Sequence, residues 1–246
     1  MRLTVVGCSG SAPGPTSPAS CYLVEHDGFA LLLDLGNGSF GSLLALADPA
    51  RVDAIYLSHL HADHCLDVAP FMVWHRYSGG SSGAPLPLYA PAGAERRLAL
   101  AYDPDGAPVD DVFDVLPVDA GGWTLGPFAV TTARTAHPVE CYAVRLRAGG
   151  RSLVYTGDTG PCPAVTQLAR GADLLLAEAA HPDVEGLPAD LHLTGRQAGE
   201  TAAAAGVGRL LVTHVPAWVD ADAQLAAARA VFPAAELARH AAVHDV

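Results

Sequence analysis

The chain has 246 residues, half of them apolar and only 16% charged, with a formal charge of −12. A sizeable core can be built, as one large domain or two small ones. No run reaches the roughly 18 apolar residues of a membrane span, and the acidic balance argues against a long polyanionic partner unless a basic arm or bound cations offset it.

The N-terminal stretch Met1–Gly7 enters a strand-like pattern with no leader signature, so a cytoplasmic location is expected. Five cysteines, an odd number without a CxxC pair, argue against a zinc ribbon or disulfide framework. Cys65 adjoins a histidine cluster and could be a ligand, although small buried thiols are the commoner case.

In chain order, strands are predicted at 2–7, 20–25 and 29–34, then a loop at 35–38 and a helix over 39–47. A buried strand, Asp53–Leu57, leads into Ser58-His59-Leu60-His61-Ala62-Asp63-His64-Cys65. A helix is expected at 66–77, with Met72 and Trp74 as packing residues, and a Gly/Ser/Pro-rich insert at 78–87. Further strands are expected at 88–90, 112–118 and 128–136, with a helix at 91–102 and a turn at Gly121-Gly122. A hairpin is read at 142–147 and 152–156, then a helix at 161–170 and a strand at 173–178. The chain closes with a helix at 194–205, a strand at 209–213 and a helix at 221–232. A turn, strand, Asp-x-Gly, helix, strand order recurs in the two halves. No linker separates independent domains, so a single αββα sandwich of two mixed sheets with helices outside is expected.

Three histidines and an aspartate, His59, His61, Asp63 and His64, fall within six positions at a strand end. Imidazole and carboxylate are the nitrogen and oxygen ligands that zinc accepts. On an extended segment His59 and His61 point to the same side. His137, Asp158 and His214 follow three other predicted strands. Seven such ligands make two tetrahedral-type sites if one carboxylate is shared and a water bridges.

His-x-His-x-Asp-His followed by His137, Asp158 and His214 resembles the metallo-β-lactamase superfamily over nearly the whole chain. The segment Leu191–Glu200 resembles the ribonuclease Z branch, which carries a His-Ser-Thr-type turn. Leu193 stands here at the middle position. Gly7–Pro15 and Gly157–Cys162 are similar to actinobacterial relatives regarded as cyclic-nucleotide phosphodiesterases. The resemblance implies one site of His59, His61 and His137, a second of Asp63, His64 and His214, and Asp158 between them. It also implies two zinc ions, with manganese or iron as substitutes, and suggests a homodimer. Asp34 and Ser58 are candidates to orient imidazoles. Asp63 would orient or deprotonate the attacking water, and His192 would protonate the leaving oxygen. His26, His75, His181, His240 and His244 are left as surface or packing residues.

Both a tRNA 3′ end and a small cyclic nucleotide offer a bond from phosphorus to a 3′ oxygen. Leu66–Pro87 holds one arginine and the chain no lysine. A small phosphodiester such as 3′,5′-cyclic AMP is therefore the favoured substrate, and long nucleic acid is disfavoured. Trp218, Tyr77 and Phe40 are candidates to stack on a base. A lactone or thioester hydrolase and a non-catalytic metal-binding scaffold are the other readings. A redox-active member is disfavoured, because that group has Glu where His61 stands.

Overall fold

The computed structural model describes residues 1–79, 84–184 and 186–246. The N-terminal half forms β1 (Arg2–Gly7), β2 (Cys21–His26), β3 (Phe29–Leu33), α1 (Ser39–Leu46), β4 (Ala54–Tyr56), α2 (Ala62–Cys65) and α3 (Val68–Tyr77). It continues with β5 (Leu86–Ala90), α4 (Ala94–Tyr102) and β6 (Phe113–Pro117). The second half holds β7 (Gly121–Leu125), β8 (Phe128–Arg134), β9 (Tyr142–Ala148), β10 (Arg151–Tyr155), α5 (Pro163–Ala169) and β11 (Leu174–Glu178). It ends with α6 (Gly195–Ala205), β12 (Arg209–Thr213), α7 (Ala221–Arg229), β13 (Ala235–Leu237) and β14 (Val243–Asp245).

Among the described residues these strands make two mixed sheets, ordered β14-β1-β2-β3-β4-β5-β6 and β13-β12-β11-β10-β9-β8-β7. Period-two alternation sorts the apolar side chains into layers. Leu3, Val5, Tyr22, Val24, Leu31 and Leu33 face Phe128, Val144, Leu146, Leu153, Tyr155 and Leu176 between the sheets. On the outer face of the first sheet, Val6, Leu23, Leu32 and Ile55 meet Phe40, Leu43, Phe71, Met72 and Leu98 from the helices. On the outer face of the second, Val154, Leu175, Leu210 and Val212 meet Val165, Leu168, Ala198 and Ala202. This is the expected αββα sandwich.

In the first sheet β3, β4, β5 and β6 pair in parallel, and in the second β10, β11, β12 and β13 do. Parallel strands place their carboxyl ends, and the loops that follow, along one edge. Hydrogen bonds between the sheets close that edge. Tyr142 N donates to Ser58 O at 3.0 Å, and the Tyr56 hydroxyl donates to Tyr142 O at 2.9 Å.

Some expected elements change. Gly121-Gly122 opens β7, and the reversal falls at Gly126, whose φ is +52°. Two short strands, β13 and β14, lie beyond the last predicted helix. The insert at 78–87 falls partly on residues 80–83, outside the described residues. Met72 is fully buried and Trp74 packs against the same cluster, as expected. Among the described residues no helix is long and apolar enough to cross a membrane.

Candidate metal centre

Six strand ends deliver the site. Asp34 follows β3, His59 to His64 follow β4, and His137 follows β8. Asp158 follows β10, Glu178 closes β11 and His214 follows β12. Asp34 and His214 are non-glycine residues held at φ +58° and +54°. That conformation costs about 1–3 kcal/mol each and persists only where surroundings enforce it.

The structure brings the seven sequence-predicted ligands into two groups, His59–His61–His137–Asp158 and Asp63–His64–Asp158–His214. In the first, His61 Nδ1 lies 3.0 Å from His59 Nε2 and 3.3 Å from His137 Nε2. Asp158 Oδ2 stands 3.6 Å from His59 Nε2. In the second, Asp158 Oδ1 lies 3.2 Å from His64 Nε2 and 3.4 Å from His214 Nε2. Asp63 Oδ2 lies 3.3 and 3.6 Å from the same two nitrogens. Asp158 thus offers one oxygen to each group. Donors bound tetrahedrally at about 2.0–2.1 Å sit about 3.3–3.4 Å apart, so both groups fit a divalent ion.

Tautomer and orphaned atoms point the same way. His64 Nδ1 is bound at 2.7 Å by Asp34 Oδ2, and His59 Nδ1 at 3.1 Å by the Ser58 hydroxyl. His137 Nδ1 donates to Leu191 O at 2.9 Å, and His214 Nδ1 meets the Ser20 hydroxyl at 2.9 Å. Each outward bond fixes a ring and leaves Nε2 facing inward, the usual outer shell of a metal-ligating histidine. His64 Nε2, His214 Nε2 and Asp158 Oδ1 are buried without a hydrogen-bond partner in the protein. Unpaired buried polar atoms are costly, and a cation satisfies all three together. Burial holds the His214 imidazole down, to a pKa of about 4, so it stays neutral and able to ligate.

Asp34 accepts four hydrogen bonds. They come from Ser58 N at 2.6 Å, the Ser58 hydroxyl at 2.8 Å, the Tyr155 hydroxyl at 2.6 Å and His64. The sequence pointed to Asp34 and Ser58 but not to Ser20, Tyr155 or Leu191. Cys65 is fully buried with its thiol toward Leu60 O, outside both ligand groups.

A third group, Asp158–Glu178–His192, adjoins the two. His192 Nδ1 lies 2.9 Å from Glu178 Oε1 and 3.9 Å from Asp158 Oδ2. Burial opposes charge on His192, but the Glu178 bond and carboxylate outweigh it and raise the imidazole to about 9. Burial also raises Glu178, against the opposing pull of His192. The 2.9 Å bond between His192 Nδ1 and Glu178 Oε1 makes the two side chains one titrating pair. Glu178 was missed in the sequence; the signal was a carboxylate ending an otherwise apolar strand, Leu174-Leu175-Leu176-Ala177-Glu178. His192 is placed by α6, where Thr194 and Gln197 form a reciprocal cap. Leu193, between His192 and Thr194, is buried in the core under the second sheet. His181 stacks edge-on to His192, with ring centroids 5.1 Å apart. Phe40, one of the three candidates to stack on a base, takes the commoner role of a core residue, packed on Phe71 and Trp74. Trp218 and Tyr77 are exposed.

Residues 31–215 match the beta-lactamase superfamily domain family. The chain belongs to the metallo-β-lactamase superfamily. Its sequence is 43% identical to an uncharacterized protein of Mycobacterium tuberculosis, Rv1339, over 94% of this chain and 87% of that one. The metallo-β-lactamase fold protein YhfI of Bacillus subtilis superposes with a TM-score of 0.88 at 30% identity, covering 99% and 98% of the two chains. Ribonuclease BN of Escherichia coli is 29% identical over the full length of both chains. The clustered ligands are those of a metal-dependent hydrolase of this superfamily.

That last relative corrects one expectation. The acidic total charge predicts that long nucleic acid is disfavoured, yet a ribonuclease matches this metallo-β-lactamase chain from end to end. Formal charge averages over the surface, whereas phosphate meets the local field, and bound divalent ions dominate that field at a site.

Proposed function

We propose that this chain hydrolyses phosphodiester bonds at the paired ligand groups, cleaving between phosphorus and a ribose 3′ oxygen. The observation that carries the reading is the position of the His192–Glu178 pair beside Asp158, the carboxylate shared by both groups. A protonated imidazole next to a dinuclear site suits an alkoxide leaving group that needs a proton.

His59, His61, His137 and Asp158 would hold one ion, and Asp63, His64, His214 and Asp158 the other. Zinc is the proposed metal, with manganese or iron accommodated by the same donors. When bound, two divalent ions would supply charge to offset that on the phosphoryl oxygens and would lower the pKa of a water. The Asp63 carboxylate would orient the attacking water. His192, tethered at Nδ1 by Glu178, would give its Nε2 proton to the departing oxygen, leaving a neutral ring still bonded to Glu178. The Asp34–Tyr155–Ser58 network would keep His64 and His59 aimed inward.

The full-length similarity to Ribonuclease BN supports RNA as substrate. A second reading, a small cyclic nucleotide, is supported by Arg76. It is the one arginine between the histidine motif and β5, and it is bound to Asp111 at 2.6 and 2.7 Å and to Pro108 O. Metal-loaded protein would be tested on bis(p-nitrophenyl) phosphate, cyclic AMP and a precursor tRNA with a 3′ trailer. Hydrolysis of a lactone but of none of the three would sink the phosphodiester reading.

A further inference from the structure

Away from the metal centre, the outer face of β8 and β9 meets α5 in a groove of about 530 Å³. Arg145, Arg147 and Arg170 line it, with Gln167, and no carboxylate among the described residues does. In a chain with 26 acidic and 14 basic residues, three cations without an acid is a local reversal of sign. Arg145 and Arg147 stand on one face of β9, opposite Thr131 and Ala129. Arg145 is anchored, giving Nη1 to Leu168 O and Arg170 O and Nη2 to the Ser152 hydroxyl. Its Nε is buried with no partner in the protein. Asp173, the nearby carboxylate, is already taken by Arg151 and Ser152. Arg147 and Arg170 are exposed and make no ion pair among the described residues.

An anion would complete this arrangement, because it relieves the repulsion between the guanidinium groups. We propose that the groove between β8–β9 and α5 binds backbone phosphates of a polyribonucleotide whose 3′ end lies at the metal centre. The choice of RNA rests on the phosphodiester reading above; the groove and its cations do not. Position agrees. β9 begins at Tyr142, whose N–H bonds Ser58 O beside the metal ligands. Arg145 and Arg147 follow about 10 and 17 Å along the strand, within reach of nucleotides upstream of a bound 3′ end.

The test uses metal-loaded protein and a short phosphorothioate RNA, followed by fluorescence anisotropy over a salt series. Arg147→Ala with Arg170→Ala should weaken binding about tenfold at low salt and flatten the slope of log K against log salt by about 1.5. Hydrolysis of bis(p-nitrophenyl) phosphate should stay unchanged, because neither side chain belongs to the metal centre. Unaltered RNA affinity and slope would overturn the proposal. So would loss of inorganic phosphate binding with RNA binding intact, since the groove would then serve the free ion. A parent protein inert toward the nitrophenyl ester strikes the reaction reading instead, and the anisotropy result still judges the groove.

Discussion

Asp34 Oδ2 lies 2.7 Å from His64 Nδ1, and both side chains are shut off from solvent. Asp34 touches neither ligand group's inner atoms, yet it sets the tautomer that turns His64 Nε2 inward. Asp34→Asn keeps the shape, loses the charge and offers an amide N–H where acceptors are needed. Metal affinity should fall about 10- to 100-fold. Tyr155→Phe removes one of the four donors and should cost about 1 kcal/mol of stability with a smaller loss of metal. Zinc competition with a chromophoric chelator, alongside thermal unfolding, reads both. Parent-like affinity in Asp34→Asn would show that the network does not position the ligand.

His61 differs from its neighbours in being exposed and in presenting Nδ1. Its replacement should therefore leave the fold intact while opening one site. His61→Ala is expected to hold one metal equivalent fewer and to lose hydrolytic activity, with little change in melting temperature. Elemental analysis of the purified variant checks the stoichiometry; a fully metallated, active variant would refute the ligand assignment.

The His192–Glu178 pair carries a pH signature. The raised imidazole pKa, about 9, means His192 gains stability from Glu178 below its unfolded pKa of about 6.5. That contribution is lost as pH rises through about 9. As a proton donor it works below its pKa, so activity falls on the alkaline side. Glu178→Gln removes the anion and should move the alkaline limb of kcat toward lower pH. It should also destabilise the fold, because Glu178 accepts Thr159 N at 2.7 Å and Ala180 N at 3.0 Å. His192→Ala should slow turnover about 10²- to 10⁴-fold with metal content retained. An unmoved limb in Glu178→Gln would remove Glu178 from the mechanism.

The site was legible because its ligands are chemically unmistakable and stand where apolar runs stop. β12 could be read to the residue, Arg209–Thr213, since it is a buried strand flanked by a glycine and a histidine. β7 could not. Gly121-Gly122 has the composition of a turn, and only pairing with Thr131 and Thr132 of β8 makes it strand. β13 and β14 are three residues each and exist through distant partners in β12 and β1. Glu178 and His192 are 14 positions apart, and their contact depends on His181 pairing with Leu193 and Thr194. No local spacing announces such a pair. The arginine groove is similarly silent in the sequence, because its cations come from β9 and the end of α5.

Gly36 ties the fold to the second ligand group. A Cβ there would stand 1.9 Å from Asp63 O and 2.5 Å from Asp63 C, with Ala19 Cβ at 2.9 Å. Backbone on one side and a buried methyl on the other leave no flexible atom to yield. The same turn is pinned by Leu35 N donating to His64 O at 2.8 Å. Gly36→Ala should therefore push the Asp63–His64 turn outward and weaken the second site more than the first, because His59, His61 and His137 do not lean on Gly36. Gly41 is the control. It lies inside α1 with nothing within 4 Å of a Cβ, so Gly41→Ala should stabilise by about 0.5–1 kcal/mol with metal binding unchanged. Stepwise zinc titration resolves the two sites. Equal loss at both in Gly36→Ala, or none at either, would break the link between this glycine and Asp63.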